Sequence, residues 1–383
     1  MAKKISAFLL ACLMCALCFA SCGQKEANTV IKLGGIGPTT GGAASYGNSV
    51  KNGAALAVKE INAAGGVNGI QLELSFEDDE NDAEKAVNAY NKLKDDGMQL
   101  LVGTVTSTPC KAVKDNAYED NIFLLTPSGS AVECTKYDNA FRVCFNDPNQ
   151  GIASAQYIKE NNVAEKVAVI YDSSDVYSSG IYTKFSAECE TQGIQIVASE
   201  AFNADNKTDF SVAIQKIKES GAELVFLPIY YQEAALILKQ ADAAGLDVKF
   251  FGCDGLDGVI SQLADDAALA NGVMLLTPFA ADADDEKTQT FTAAYKAEYN
   301  GEIPDQFAAD GYDAIYIVKA ALEKAEVKSA DISASDLCDK LKGVMTQITV
   351  EGVTGTMTWD ASGEPTKTPK AMYIQDGAYK AMD

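Results

Sequence analysis

Apolar and polar positions alternate along the chain in a way that predicts repeating strand and helix units. Residues 30–36 form a largely apolar run with Lys32 as the exception, and apolar side chains alternate from Ile70 to Phe76, so both segments are expected to be β-strands. Residues 49–64 and 82–96 carry apolar side chains at helical spacing, and each segment stops at glycine. Such an order of elements predicts an α/β fold with parallel sheets.

The pattern repeats in the second part of the chain. Ile70-Gln71-Leu72 returns as Ile194-Gln195-Ile196, and Gly97 returns as Gly221, with the same offset of 124 positions. A constant offset through strand, helix and glycine favours a true internal repeat over a chance likeness of two amphipathic units. We therefore expect two similarly built, Rossmann-like lobes, each with its own parallel sheet.

Two strands of the first lobe end in loops rich in hydroxyl groups. The strand at residues 122–125 breaks at Pro127 and continues with Ser128 and Ser130, while the preceding strand runs into a loop that contains Ser107. Parallel strands present their carboxyl ends at one edge, where open α/β sheets bind ligands. Each loop alone also fits an ordinary strand-to-helix turn with Ser107 or Thr108 as helix cap. Together, they favour a cleft that holds an anion such as a carboxylate.

The second lobe presents different chemistry at the equivalent strand ends. The strand at 224–227 leads to Tyr230, and Asp254 stands between Cys253 and Gly255 just after a later strand. Rings opposite hydroxyls suit a small ligand with a charged end and an apolar end, and Asp254 is a candidate partner for an ammonium group. The alternatives are a tyrosine packed under a loop and a turn aspartate bonded to its own backbone.

The chain begins with a segment that has the features of an export signal. Lys3 and Lys4 precede a short apolar stretch, and small residues lead to Cys22. This ending resembles a bacterial lipobox, which implies that residues 1–22 form a lipoprotein signal, that Cys22 is lipidated, and that residues 23–29 form a polar tether. An ordinary secretory signal cut elsewhere is the alternative.

The amino-acid composition argues against several classes of function for this protein. Against 31 basic residues the chain carries 54 acidic ones, for a net charge of −23, so nucleic acid would be repelled. There is no histidine, no nucleophile elbow and no phosphate-binding glycine loop, which makes an enzyme unfavoured and predicts no cofactor. The acidic run at 77–82 has Ala83 where a calcium loop needs glycine, so no metal is expected.

Six cysteines remain beyond the signal segment. Free buried thiols are the favoured state for most of them, because a protein of this size does not need covalent staples. A disulfide between Cys110 and Cys134, each of which follows one of the two hydroxyl loops, is the alternative.

The loop residues and the order of elements resemble the branched-chain amino-acid-binding proteins of bacterial ABC importers, a type I periplasmic binding protein family. The resemblance covers essentially the whole chain after the signal. The segments on which the resemblance rests include the following: Ile36-Gly37-Pro38, Tyr46-Gly47, Phe76-Glu77-Asp78-Asp79, Leu125-Thr126-Pro127, Asn149-Gln150-Gly151 and Gly311-Tyr312-Asp313-Ala314.

By this resemblance the binding residues of the family fall on positions already singled out. Ser107 and Ser130 match the hydroxyls that bind the ligand carboxylate, and Ser128 matches a backbone contact. Asp254 stands where leucine-type binders have a glutamate for the α-ammonium, and is shorter by one methylene. The remaining matches line the pocket: Tyr46, Val105, Tyr177, Tyr230 and Phe307.

The resemblance also implies a domain arrangement. Lobe I would comprise residues 30–147 plus 279–366, and lobe II residues 148–278 plus 367–383. The chain would cross between them three times, which forms a three-segment hinge that closes on the ligand.

The implied function is an extracytoplasmic, membrane-anchored and monomeric binding lipoprotein. It would hold an amino acid, with branched-chain or other aliphatic amino acids first, and deliver it to the membrane permease of an ABC importer. The alternatives are another amino acid, a small amide or an aromatic carboxylate as ligand, or a role as the ectodomain partner of a sensor.

Overall fold

The computed structural model describes residues 29–382. The predicted signal segment, Cys22 and all but the last residue of the predicted tether lie outside the described residues. Among residues 29–382, none of the helices combines the length and the apolar character that crossing a membrane requires.

Strands and helices alternate from the start of the described range. The strands are β1 (Val30–Gly37), β2 (Gln71–Asp78), β3 (Leu100–Gly103), β4 (Leu124–Thr126), β5 (Ala140–Arg142), β6 (Lys166–Asp172), β7 (Gln195–Phe202), β8 (Leu224–Leu227), β9 (Lys249–Gly252), β10 (Met274–Thr277), β11 (Val350–Gly352), β12 (Gly355–Met357), β13 (Lys370–Gln375) and β14 (Ala378–Ala381). The helices are α1 (Ala44–Ala63), α2 (Ala83–Asp95), α3 (Ser107–Glu119), α4 (Asp147–Glu160), α5 (Val176–Gln192), α6 (Ser211–Ser220), α7 (Tyr231–Ala243), α8 (Val259–Leu263), α9 (Glu286–Glu298), α10 (Gln306–Lys324) and α11 (Ala334–Lys342).

Two sheets organise the molecule, one in each lobe. The first has the order β2-β1-β3-β4-β5, and all its strands are parallel. The second has the order β14-β13-β10-β9-β8-β6-β7, in which β13 and β14 are antiparallel additions to a parallel core. The parallel strands of both sheets follow the same order. This arrangement confirms the predicted α/β class with two lobes.

Helices cover both faces of each sheet, which explains why the strands are apolar throughout. In β3, Leu100 and Val102 pack with α1 and α10, whereas Leu101 packs with α2 and α3. In β8, Leu224 packs with α4 and α5, and Val225 packs with α6 and α7. Successive side chains of a strand point to opposite faces, so a strand buried on both faces must be apolar at every position.

The internal repeat is visible in the coordinates. The pairs β2 and β7, β3 and β8, and α3 and α7 each begin 124 positions apart. The offset inferred from sequence is therefore an offset between equivalent structural elements.

The chain passes between the lobes three times. It leaves the first sheet after β5 for α4, which packs on α5, and it returns after β10 to α9 and α10, which pack on α1. It then enters the second sheet again at β13. The lobes thus exchange segments, as the extra elements at the end of the sequence indicated.

One local prediction was wrong, and one alternative does not hold. The first long helix begins at Ala44, five residues before the predicted start at Ser49. The residue at its N-cap position is Ala43, which has no side-chain acceptor, so the sequence contains no capping signal there. The second concerns α3, where the cap is Thr106 and not Ser107 or Thr108. The consequence is that Ser107 lies in the first turn and its hydroxyl is not used for capping.

Candidate ligand-binding cleft

The carboxyl ends of strands from both sheets face each other across a narrow cleft. All nine residues predicted to bind a ligand line one small cavity there: Tyr46, Val105, Ser107, Ser128, Ser130, Tyr177, Tyr230, Asp254 and Phe307. Thr106 and Gly255 also line it, and sequence reasoning missed both. Their position next to Ser107 and Asp254 was the available signal, but a threonine before a helix is ordinarily read as a cap.

One wall of the cavity is a cluster of hydroxyl groups. Ser107 Oγ and Ser130 Oγ lie 3.5 Å apart, and both residues are buried. Ser107 Oγ accepts a hydrogen bond from the N–H of Ala131 at 3.1 Å, so its own proton remains available. The Ser128 hydroxyl donates to the carbonyl of Val105 at 2.6 Å, so this residue joins the two loops through its hydroxyl. The first N–H groups of α3 add a positive partial charge beside Ser107.

A buried arginine fixes the shape of this wall from behind. Arg142 is the only arginine of the sequence, and its side chain is fully buried. Its guanidinium donates hydrogen bonds of 2.9 Å to the carbonyls of Gly129 and Ala131, on either side of Ser130. It also forms an ion pair of 3.0 Å with Glu364, which comes from the third passage between the lobes. Since carbonyl and N–H point in opposite directions within a peptide unit, the N–H of Ser130 points away from the guanidinium.

The opposite wall carries a buried carboxyl group. Asp254 Oδ1 accepts a hydrogen bond of 2.7 Å from the hydroxyl of Tyr177, and the Asp254 N–H donates to Gln150 Oε1 at 3.2 Å. Burial raises the pKa of Asp254 to about 7, although the bond from Tyr177 opposes this rise. A buried carboxylate with a raised pKa lacks a cationic partner, and an ammonium group would supply one.

Aromatic rings complete the cavity between the two polar walls. The ring of Tyr46 lies 4.3 Å from that of Phe307 and 5.4 Å from that of Tyr230, measured between centroids. Tyr177 and Tyr230 stack at 5.0 Å. Val105 packs in the same apolar cluster. This part of the cavity can surround an apolar side chain.

Direct contacts join the lobes beside the cavity. The Tyr46 hydroxyl, from α1 of the first lobe, donates to the carbonyl of Gly255 in the second lobe at 2.5 Å. Gln306 Nε2, at the start of α10, donates to the carbonyl of Asp254 at 2.8 Å. Because such bonds require the two lobes to touch, the described conformation is a closed one.

A wider crevice opens at one rim of the cleft. Lys111, Asp147 and Lys184 are among the residues that line it, so charges of both signs are mixed there. None of the residues predicted to bind a ligand lies in it. The inner cavity is therefore the stronger candidate.

The cysteines of the described residues are free and buried. They are Cys110, Cys134, Cys144, Cys189, Cys253 and Cys338. The disulfide considered between Cys110 and Cys134 is not formed, and the favoured interpretation of free thiols is confirmed.

The fold is that of a two-lobed binding protein, with α/β lobes that close over a buried cavity. The chain belongs to the periplasmic binding protein family, because the model of the family described as "Periplasmic binding protein" matches residues 30–378. This confirms the family resemblance that the loop residues carried.

Known proteins of this family resemble the chain along most of its length. It is 33% identical to the leucine-, isoleucine-, valine-, threonine-, and alanine-binding protein of Pseudomonas aeruginosa, with 90% of this chain and 89% of the relative covered. A branched-chain amino acid transporter substrate binding protein of Streptococcus pneumoniae, solved in complex with isoleucine, is 31% identical with a TM-score of 0.83, and covers 92% of this chain and 98% of its own. A substrate-binding protein of Desulfitobacterium hafniense, solved with Leu, is 25% identical with a TM-score of 0.77, over 92% and 100% of the chains.

Buried carboxyl groups give the closed conformation of the protein a defined dependence of stability on pH. Burial raises the pKa of both Asp79 and Asp254 to about 7, above the value of about 4 that an aspartate has in an unfolded chain. A folded-state pKa above the unfolded one contributes stability at low pH that is lost as the pH rises through the folded value.

We therefore expect the free energy of unfolding to fall by about 2–5 kcal/mol between pH 5 and pH 8. Urea titrations across this range measure the change. Asp79→Asn should make the dependence shallower, whereas the same change at the exposed Asp265 should leave it as it is. A stability that rises from pH 5 to pH 8 would contradict the expectation.

Proposed function

We propose that the protein binds a zwitterionic amino acid in the cleft as the extracytoplasmic substrate-binding component of an ABC importer. The observation that carries the proposal is the placing of two serine hydroxyls and a helix N-terminus opposite a buried carboxyl group within one cavity. The first group of donors suits an α-carboxylate, and Asp254 suits an α-ammonium group. The aromatic rings between them suit an aliphatic side chain.

Branched-chain and other aliphatic amino acids are the ligands that we propose first. The known proteins that resemble the chain include one named for leucine, isoleucine, valine, threonine and alanine, and others solved with isoleucine or leucine. The aromatic wall of Tyr46, Tyr230 and Phe307 is compatible with such side chains.

The proposed cycle consists of binding, closure and release, without chemical change of the ligand. Lobe I, at residues 30–147 and 279–366, and lobe II, at 148–278 and 367–383, would rotate about the three passages of the chain. Lipid attached at Cys22 would hold the protein at the outer surface of the cell membrane, as a monomer, and the permease would accept the closed form.

A thermal-shift screen of the protein without its signal and tether tests the proposal. Leucine, isoleucine, valine, the other amino acids, small amides and aromatic acids form the ligand set. A ligand at a hundredfold excess over its Kd adds about 2.7 kcal/mol to the free energy of unfolding, which moves the melting temperature visibly. A shift with no amino acid but with another carboxylate would overturn the assigned ligand class and keep the fold.

Replacing Ser130 should weaken binding and leave the fold intact. In Ser130→Ala the ligand carboxylate loses one hydrogen bond to a hydroxyl, and a bond to a charged group contributes about 1.5–3 kcal/mol, so Kd should rise about 10- to 150-fold. Isothermal titration calorimetry measures Kd, and circular dichroism checks the fold. Ser261→Ala, on an exposed position of α8, is the control. An unchanged Kd in Ser130→Ala would mean that the carboxylate lies elsewhere.

A further inference from the structure

Thr106 stands at the start of helix α3 but does not cap the helix through its side chain. It occupies the N-cap position of α3 with extended backbone angles, yet its side chain accepts no hydrogen bond from the helix. A capping threonine ordinarily accepts such a bond and stabilises the helix by about 1 kcal/mol. The hydroxyl of Thr106 is therefore not used for capping.

The hydroxyl of Thr106 has no partner in the protein. The residue is 4% exposed, and its Oγ1 is buried without a hydrogen bond. Three other hydroxyls of these loops donate to backbone carbonyls: Thr104 to that of Thr106, Thr126 to that of Thr104, and Ser128 to that of Val105. A buried hydroxyl without a hydrogen bond lowers stability unless a ligand forms a hydrogen bond with it.

The position of Thr106 indicates which part of a ligand it meets. It lines the cavity together with Val105, which belongs to the apolar wall, and Ser107, which belongs to the hydroxyl cluster. With the ligand carboxylate at the hydroxyl cluster and its side chain at the apolar wall, as proposed above, a residue between them would lie beside the β-carbon of the ligand.

The internal repeat supports a ligand-facing role for this position. Tyr230 stands 124 positions after Thr106 in the sequence, caps the equivalent helix α7, and likewise makes no side-chain cap bond. It lines the same cavity. In both lobes, therefore, the residue before the equivalent helix lines the cavity and makes no cap bond through its side chain.

We propose that Thr106 is a specificity-determining residue that selects amino acids with a hydroxyl group on the β-carbon. The ligand class is the β-hydroxy α-amino acids, of which L-threonine has the same branched shape as L-valine. This inference rests on the proposed amino acid binding and refines it, because it distinguishes two ligands of equal size. Thr106 Oγ1 would exchange a hydrogen bond with the β-hydroxyl, whereas the methyl group of valine leaves the buried hydroxyl unpaired.

The test is a double-mutant cycle on isosteric pairs. Wild type, Thr106→Val and Thr106→Ser are titrated with L-threonine and L-valine by isothermal titration calorimetry. Wild type is expected to bind threonine at least fivefold more tightly than valine, since an unpaired buried hydroxyl costs about 1–3 kcal/mol, which is about 5- to 150-fold in Kd. In Thr106→Val the ratio should fall at least tenfold and favour valine, whereas Thr106→Ser should keep the preference for threonine.

The controls separate this inference from the proposed function. Because Thr106 makes no cap bond, Thr106→Val should melt within a few degrees of wild type. Equal threonine-to-valine ratios in the three proteins, with both ligands bound, would overturn the role of Thr106 and leave amino acid binding in place. Absence of binding for every amino acid in wild type would overturn the proposed function, and the inference with it.

Discussion

Asp254→Asn is expected to weaken the binding of leucine and other amino acids about 30- to 5,000-fold while the protein stays folded. The carboxyl group is buried and has Tyr177 as its side-chain donor, so it is the group available to neutralise an α-ammonium inside the closed cleft. Truncating one partner of a buried charge pair costs about 2–5 kcal/mol, because the remaining charge is left without a partner. Isothermal titration calorimetry gives the Kd values, and the melting temperature checks the fold.

A ligand without the ammonium group provides the matched comparison. The carboxylate 4-methylpentanoate has the leucine skeleton but no amino group, and Asp254→Asn should bind it as well as wild type or better. Asp254→Glu keeps the charge and should retain part of the affinity for leucine. An unchanged affinity of Asp254→Asn for leucine would remove this residue from the ligand site.

The pH dependence of binding follows from the same group. Burial raises the pKa of Asp254 to about 7, and an ammonium group stabilises its ionised form. Binding should therefore release a proton below pH 7, and affinity should fall as the pH decreases, by at most about tenfold per pH unit. In Asp254→Asn this dependence should be lost. The pH dependence of binding in the wild-type protein has the opposite sign to the pH dependence of its stability.

Arg142→Met is expected to lower the free energy of unfolding by about 3–5 kcal/mol and to impair binding as well. The change leaves Glu364 without its ion-pair partner and the carbonyls of Gly129 and Ala131 without their donors, and breaking a buried pair from one side has about this cost. Urea titration measures the stability, and calorimetry at a temperature where the variant is folded measures the affinity.

Two further variants separate the effects of the arginine. Arg142→Lys keeps the positive charge but cannot donate to both carbonyls in one plane, so it should lose affinity while recovering part of the stability. The double variant Arg142→Met with Glu364→Met should lose less stability than the sum of the two single variants, because no unpaired charge remains. Lys328→Met, at an exposed position, is the control. A loss below 1 kcal/mol in Arg142→Met would show that the guanidinium does not hold the loop.

The sequence predicted the fold class and the cleft because both depend on local patterns. Apolar strands that end in serine or aspartate can be read from short segments, and the repeat showed that they come from two lobes. Ser107, Ser130 and Asp254 were found in this way, and the structure brings them to one cavity.

The remaining features depend on contacts between distant segments. The ion pair of Arg142 with Glu364 joins positions on different passages of the chain, and no local pattern indicates which acidic residue the arginine meets. Thr106 was missed for a different reason. A threonine before a helix is an ordinary helix cap by its residue type, and only the coordinates show that its hydroxyl makes no cap bond.

The position shared by Thr106 and Tyr230 also has a practical consequence. Equivalent elements of the repeat place these two residues, one from each lobe, in the lining of one cavity, at positions where neither side chain supports a helix through a cap bond. Evolution could therefore diversify the two positions independently after a duplication, one toward polar and one toward apolar contacts. The same freedom makes them suitable for a designed library, in which paired substitutions would yield biosensors for different metabolites on one unchanged scaffold.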